Sequence, residues 1–241
     1  MQNAEILALA GLRVDGRRAE DLRTIRYTFG VVPLSDGSVY FEQGLNKVLV
    51  MVHGPQEHSG GGGEGARDGV CSLSVSVENA PFSGTMWKAK RAGDRRTAEM
   101  ETLLRQTLEE VVMLELYPKS EIAIVIHVLE TDGSVICAIL NAVCLALVVA
   151  GVSMNDMLVA CSIGLVKEKI CQDCTQVEQS SGGAYFPVAM KARSEDIIML
   201  QLTSRISLEL LDVSLRSAVQ GCRKIREIFE DALKDSVRKR V

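Results

Sequence analysis

The chain has 241 residues, a length that accommodates one to two domains. Its 27 basic and 31 acidic residues give a formal net charge of −4, which excludes a globally basic nucleic-acid-binding domain but allows a local basic patch. With 47% apolar residues, the composition is that of a folded globular chain, not a disordered one.

Met1 to Leu12 is mildly helical, and Arg13-Val14-Asp15-Gly16-Arg17-Arg18 reads as a charged turn, so residues 1–20 form a lead-in. No basic segment followed by an apolar core and a small-residue cleavage site marks a secretory signal. Residues 38–43 and 47–52 carry strand signals and flank Gly44-Leu45-Asn46, which predicts a hairpin. Gln56 to Asp68, with four consecutive glycines, predicts a loop. Val70 to Glu78 has the period of a half-buried strand. Lys88 to Arg96 is basic, and a helix follows it with Met100, Leu103, Leu104, Leu108, Val111 and Val112 on one face. Asp94 or Thr97 caps its start, and Tyr117-Pro118 ends it.

Glu121 to Leu129 is rich in β-branched residues and predicts a strand. After the turn Thr131-Asp132-Gly133, Val135 to Ala150 is a buried helix stopped by Gly151. This stretch is shorter than the ~20 residues a bilayer requires and carries Asn141 at its middle, so no membrane partner is expected. Strands are predicted between Met157 and Lys169, a loop at 180–183, and a second hairpin from residues 185–190 and 197–202. The final helix runs from about Ser207 to Lys239. Strands, helix, strand, helix, strands, helix describe an α+β (mixed α/β) chain with helices packed on mixed sheets in a single domain, residues 21–241.

Seven cysteines, several in apolar context, suit reduced buried thiols of a cytosolic or nuclear protein. Cys171-Gln172-Asp173-Cys174 has no second ligand pair to complete a zinc site and lacks the setting of a redox pair, so no metal or cofactor is expected. The glycine run lacks the Lys-Ser/Thr of a P-loop, although Arg67 lies at its edge. Lys88, Lys90, Arg91, Arg95 and Arg96 place five cations in nine residues ahead of a helix. Cations there oppose the helix macrodipole, which a bound phosphate would reverse; the cluster is either a phosphate or RNA-backbone contact or a solvated loop.

Six segments in order carry a resemblance: Arg13-Val14-Asp15-Gly16-Arg17, Gly37-Ser38-Val39-Tyr40-Phe41-Glu42-Gln43-Gly44, Val52-His53-Gly54-Pro55, Gly93-Asp94-Arg95-Arg96-Thr97, Tyr117-Pro118-Lys119-Ser120 and Leu140-Asn141-Ala142. From about Arg13 onward the chain resembles the RNase PH family, whose active members are phosphorolytic 3′→5′ exoribonucleases. The resemblance implies an RNase PH-like fold and a place in the RNA exosome ring. Partners would be related subunits closing a six-membered ring, cap RNA-binding subunits, a hydrolytic nuclease and single-stranded RNA, in the nucleus, nucleolus and cytoplasm.

Arg95 and Arg96 match the family's paired RNA and phosphate arginines, with Arg67, Lys90 and Arg91 as further RNA-binding candidates. The family's Gly-Ser/Thr-Arg phosphate turn reads Gly133-Ser134-Val135 here, and its two carboxylate positions fall on Gln179 and Tyr185. Groups of this kind act as a unit, so the expectation is a catalytically dead relative with no catalytic residues, threading RNA for 3′–5′ processing and degradation elsewhere. The alternative is an active phosphorolytic subunit in which Asp173 or Glu178 supplies the acid.

Overall fold

A computed structural model describes residues 12–57, 71–84, 87, 94–166, 169–202 and 204–240. Among the described residues the strands are β1 (Ile25–Phe29), β2 (Gly37–Gln43), β3 (Asn46–Glu57), β4 (Ser72–Asn79), β5 (Ser120–Glu130), β6 (Leu158–Val166), β7 (Lys169–Gln172), β8 (Tyr185–Lys191) and β9 (Ile197–Leu200). The helices are α1 (Arg95–Glu109), α2 (Val135–Ala150), α3 (Gln176–Gln179) and α4 (Leu208–Arg240). The mixed α+β class read from the sequence is the one that forms. No helix among the described residues is long and apolar enough to cross a membrane.

Contacts divide the chain into two compact units. A central unit comprises Ile25–Thr131 and Ala138–Leu158; a terminal unit comprises Met1–Thr24, Asp132–Cys137 and Val159–Val241.

The central unit is built on a five-stranded sheet of order β1-β2-β3-β5-β4, antiparallel except for the parallel β4–β5 pair. Alternation places Val39, Phe41, Val48, Val50, Val52, Ile122, Ile124, Ile126 and Val128 on one buried face. From α1, Leu104 and Leu108 are buried, and from α2 every residue from Ala138 to Leu147. Gly37 lets α2 lie directly on β2: a Cβ there would sit 2.5 Å from the Ala146 carbonyl oxygen. The parallel edge strand β4 is covered at one point by α1, where the Val77 amide donates to Glu101 Oε1 at 2.8 Å. Helix α1 ends at Glu109, earlier than Tyr117-Pro118; residues 114–116 form a separate 3₁₀ turn instead.

The terminal unit holds a four-stranded sheet of order β7-β6-β8-β9. Ile163, Phe186, Val188 and Ala218 form its core, with Leu211 and Leu215 of α4 packed against them. Gly183 meets β6 so closely that a Cβ would come within 1.7 Å of the Leu165 carbonyl oxygen. The short helix α3 immediately precedes the loop expected at 180–183 and was not read from the sequence, since four residues are too few to show a period.

Phe186 is fully buried, so Phe186→Ala should cost about 3–5 kcal/mol through lost burial and the cavity left behind. Urea denaturation measures this, and a loss below about 1 kcal/mol would place Phe186 outside a tightly packed core.

Candidate functional site

The chemistry-bearing residues of the terminal unit gather around the turn that opens α2. Gly133 and Ser134 both adopt left-handed backbone angles, φ 70° and 57°. A side chain at Gly133 would strike the Thr175 backbone at 2.5 Å, so only glycine fits there. Ser134 holds its strained geometry through its hydroxyl, 2.5 Å from Ser162 Oγ and donating to the Cys174 carbonyl at 2.7 Å.

Behind this turn lies a buried ionic hub. Arg23 donates through Nη2 to Asp173 Oδ1 at 2.6 Å, and its backbone amide donates to Asp173 Oδ2 at 2.9 Å. The same guanidinium donates through Nη1 to the Asp132 carbonyl at 2.7 Å. Burial alone would lower the Arg23 pKa, but Asp173 beside it more than compensates and raises it. Arg13 and Arg17 each donate to the Asp173 carbonyl at 3.2 Å. Arg13 also bonds the Gln172 carbonyl and lies 3.5 Å from Glu178, both side chains almost wholly buried.

These contacts decide what the acids near the turn can do. Asp173, 1% exposed, is held by Arg23, and Glu178 is held by Arg13 and by the Thr175 amide at 2.9 Å. Both carboxylates are engaged by arginines in the interior, so the geometry lends no support to the alternative in which one of them supplies the acid. Asp132 differs: its side chain is 21% exposed, 3.7 Å from Arg23, and accepts from the Gln176 amide at 3.3 Å. Of the two positions matched to family carboxylates, Gln179 closes α3 and Tyr185 opens β8. The Tyr185 phenol is pushed up by burial, neighbouring Cys137 adds to the rise, and a hydrogen bond with the Ser134 side chain opposes it. Among the described residues no three His, Cys, Asp or Glu side chains come together to hold a metal ion, and the acids at the turn face arginines, so this donor set does not fit one.

All seven cysteines are free and buried. Burial pushes the Cys144 and Cys161 thiols up to about 12, and it raises Cys171 and Cys174 as well, which suits inert core thiols.

The basic cluster belongs to the central unit. Asp94 caps α1, accepting from the Arg96 amide at 3.3 Å, and Thr97 lies inside the helix. Arg95 is 91% exposed and its Nε lies 2.7 Å from Glu99 Oε1, while Arg96 is also exposed. A shallow groove of about 400 Å³ runs along α1 between Arg95 and Gln106, past Glu99, Thr102 and Leu103. Arg67, Lys90 and Arg91 lie outside the described residues. Sequence reasoning did not single out Arg23 and Arg13 as the residues that organise the turn, although Arg13 stands in one of the six segments that carry the family resemblance.

A left-handed turn at a helix start, two exposed arginines heading another helix, and two helix-covered sheets define an RNase PH-like protein. The chain belongs to the RNase PH family (3′ exoribonuclease family, domain 1), which it matches over residues 21–153. It is 36% identical to the exosome complex component RRP41 of Homo sapiens, over 99% of this chain and 97% of that protein. It is 34% identical to the exosome complex component Rrp41 of Thermococcus onnurineus, over 93% of this chain and 89% of that protein. Among solved structures, rice Rrp46 shares the fold with a TM-score of 0.82 at 23% identity, covering 92% of this chain and all of that one. A chain of the Archaeoglobus fulgidus exosome with RNA bound to the active site has a TM-score of 0.78 at 20% identity, covering 91% of this chain and 93% of that one.

These relationships overturn the expectation of a catalytically dead chain. The family is one of 3′ exoribonucleases, and archaeal and human relatives match this chain about equally well, at 34% and 36%. The expectation rested on Val135, Gln179 and Tyr185 alone, and changes at aligned positions do not by themselves remove a reaction.

The buried pair itself is open to measurement. Asp173→Asn leaves Arg23 in the interior without its carboxylate partner and should destabilise the fold by about 3–5 kcal/mol in chemical denaturation. Asp15→Asn breaks a more exposed pair with Arg17 and should cost less than about 1 kcal/mol; equal losses would show that burial is not what makes the Asp173 pair matter.

Proposed function

We propose that this chain is a phosphorolytic 3′→5′ exoribonuclease subunit of an exosome-type ring, acting on single-stranded RNA. In that reaction an oxygen of inorganic phosphate attacks the terminal phosphodiester. The bond to the preceding ribose 3′ oxygen breaks, that oxygen takes up a proton, and a nucleoside diphosphate leaves. The observation that carries the reading is kinship with a 3′ exoribonuclease family and with exosome components along nearly the whole chain. The exposed Arg95 and Arg96 at the start of α1 support it locally, because guanidinium groups suit phosphate oxygens.

Arg95 and Arg96 would hold the RNA backbone, with Arg67, Lys90 and Arg91 assigned the same role from sequence. Such contacts follow phosphates without reading bases, so binding should tolerate sequence and weaken with salt. Ring partners would be related RNase PH-fold subunits, joined by cap RNA-binding subunits and a hydrolytic nuclease, in nucleus, nucleolus and cytoplasm. Residues 21–241 would form the RNase PH-like domain and residues 1–20 its lead-in.

The assembled ring, freed of hydrolytic nucleases, should release nucleoside diphosphates from RNA only when inorganic phosphate is present. No such release would sink the reading. Arg95→Glu with Arg96→Glu should weaken RNA binding while the ring still assembles; unchanged binding would remove these arginines from the RNA path.

A further inference from the structure

Two aromatic side chains stand in solvent just ahead of α1. Phe82 is 67% exposed and Trp87, the chain's single tryptophan, is 73% exposed. Phe82 is displayed from a pinned turn rather than a loose one. The Ala80 amide donates to the Val128 carbonyl, the Ser83 amide to the Ala80 carbonyl, and Thr131 donates to the Ser83 carbonyl through both its amide and its hydroxyl, at 2.9–3.0 Å. The backbone is thus fixed against the end of β5 while the ring points outward. Folding gains nothing from leaving two large rings wet, so they invite a partner.

Charge selects which partner. From Phe82 to Arg96 the sequence carries five cations and one acid, Asp94, in a chain whose net charge is −4. A protein surface covering the rings would have to desolvate or neutralise neighbouring cations. Single-stranded RNA offers flat bases for the rings and phosphates for the cations together. We propose that Phe82 and Trp87 are a stacking platform for RNA bases, beside Arg95 and Arg96 on the phosphates. The proposal rests on the RNA-handling reading above and adds to it the residues that meet the bases. Trp87 and Arg95 are separated by eight residues of chain, no more than about 28 Å when extended, so one strand can reach both.

The single tryptophan makes the test direct, because emission from the isolated full-length chain reports on Trp87 alone. Short oligoadenylate or oligouridylate should quench that emission, with the same midpoint as an electrophoretic mobility shift. Trp87→Leu should weaken binding about tenfold and Phe82→Leu by a smaller factor, whereas Trp87→Phe should keep most of the affinity. Neither aromatic variant should alter the salt dependence, while Arg95→Glu and Arg96→Glu should flatten it.

RNA that binds, and is weakened by the arginine variants, yet leaves the emission and the Trp87→Leu affinity unchanged would overturn the stacking platform and keep the RNA-handling reading. No RNA binding by the wild-type chain would bring down both. Emission that shifts to the blue on adding a ring partner, with RNA then unable to quench it, would make this a protein-contact face and overturn the proposal.

Discussion

The terminal unit depends on one buried carboxylate. Asp173 is 1% exposed and takes a left-handed backbone angle, φ 53°, that sets its carbonyl and its side chain toward arginines from the start of the chain. Arg23 meets the carboxylate, and Arg13 and Arg17 meet the carbonyl. A guanidinium is the cation best suited to this work, since its planar fork satisfies several acceptors at once and stays charged in the interior. The hub thereby ties residues 13–23 to the β7–α3 connection and, through Arg23, to the carbonyl of Asp132 ahead of α2.

The turn at α2 owes its shape to that arrangement. Gly133 provides an angle that other residues rarely adopt, and Ser134 follows it into the same region at a cost of roughly 1–3 kcal/mol. Ser162 and the Cys174 carbonyl hold the Ser134 hydroxyl, and Ser162 Oγ also accepts from the Cys174 amide at 3.2 Å. The Ser134 hydroxyl is thus engaged within the fold, and both Gly133 and Ser134 are buried.

The two ends of the chemistry are built differently. Acids and arginines around Asp173 neutralise one another in the interior, where desolvation makes unpaired charge expensive. Arg95 and Arg96 stand at a helix start with no acidic residue in its first turn, and Asp94 alone caps it. Their placement runs against the helix dipole, so the local field asks for an anion there, although the molecule as a whole is acidic. Net charge was therefore a poor guide to this surface, whose cations show only in the local sequence.

Periodicity and turn chemistry were enough to locate the hairpin of β2 and β3, to bound α2 at Val135 and Ala150, and to place β8, β9 and α4. Each has a hydrophobic pattern several residues long that only one backbone period satisfies. The family and the candidate arginines were legible too, because short motifs in fixed order survive where general similarity fades. Sequence could not show that Asp173 and Glu178 are structural, since the arginines that hold them lie 150 residues away or more, and no local rule couples positions so distant. Nor could it show that Phe82 and Trp87 face solvent, because an aromatic ring reads as core until the packing around it is known. Local pattern fixes which backbone forms; burial and ion pairing are properties of what the fold brings together, and only tertiary structure decides them.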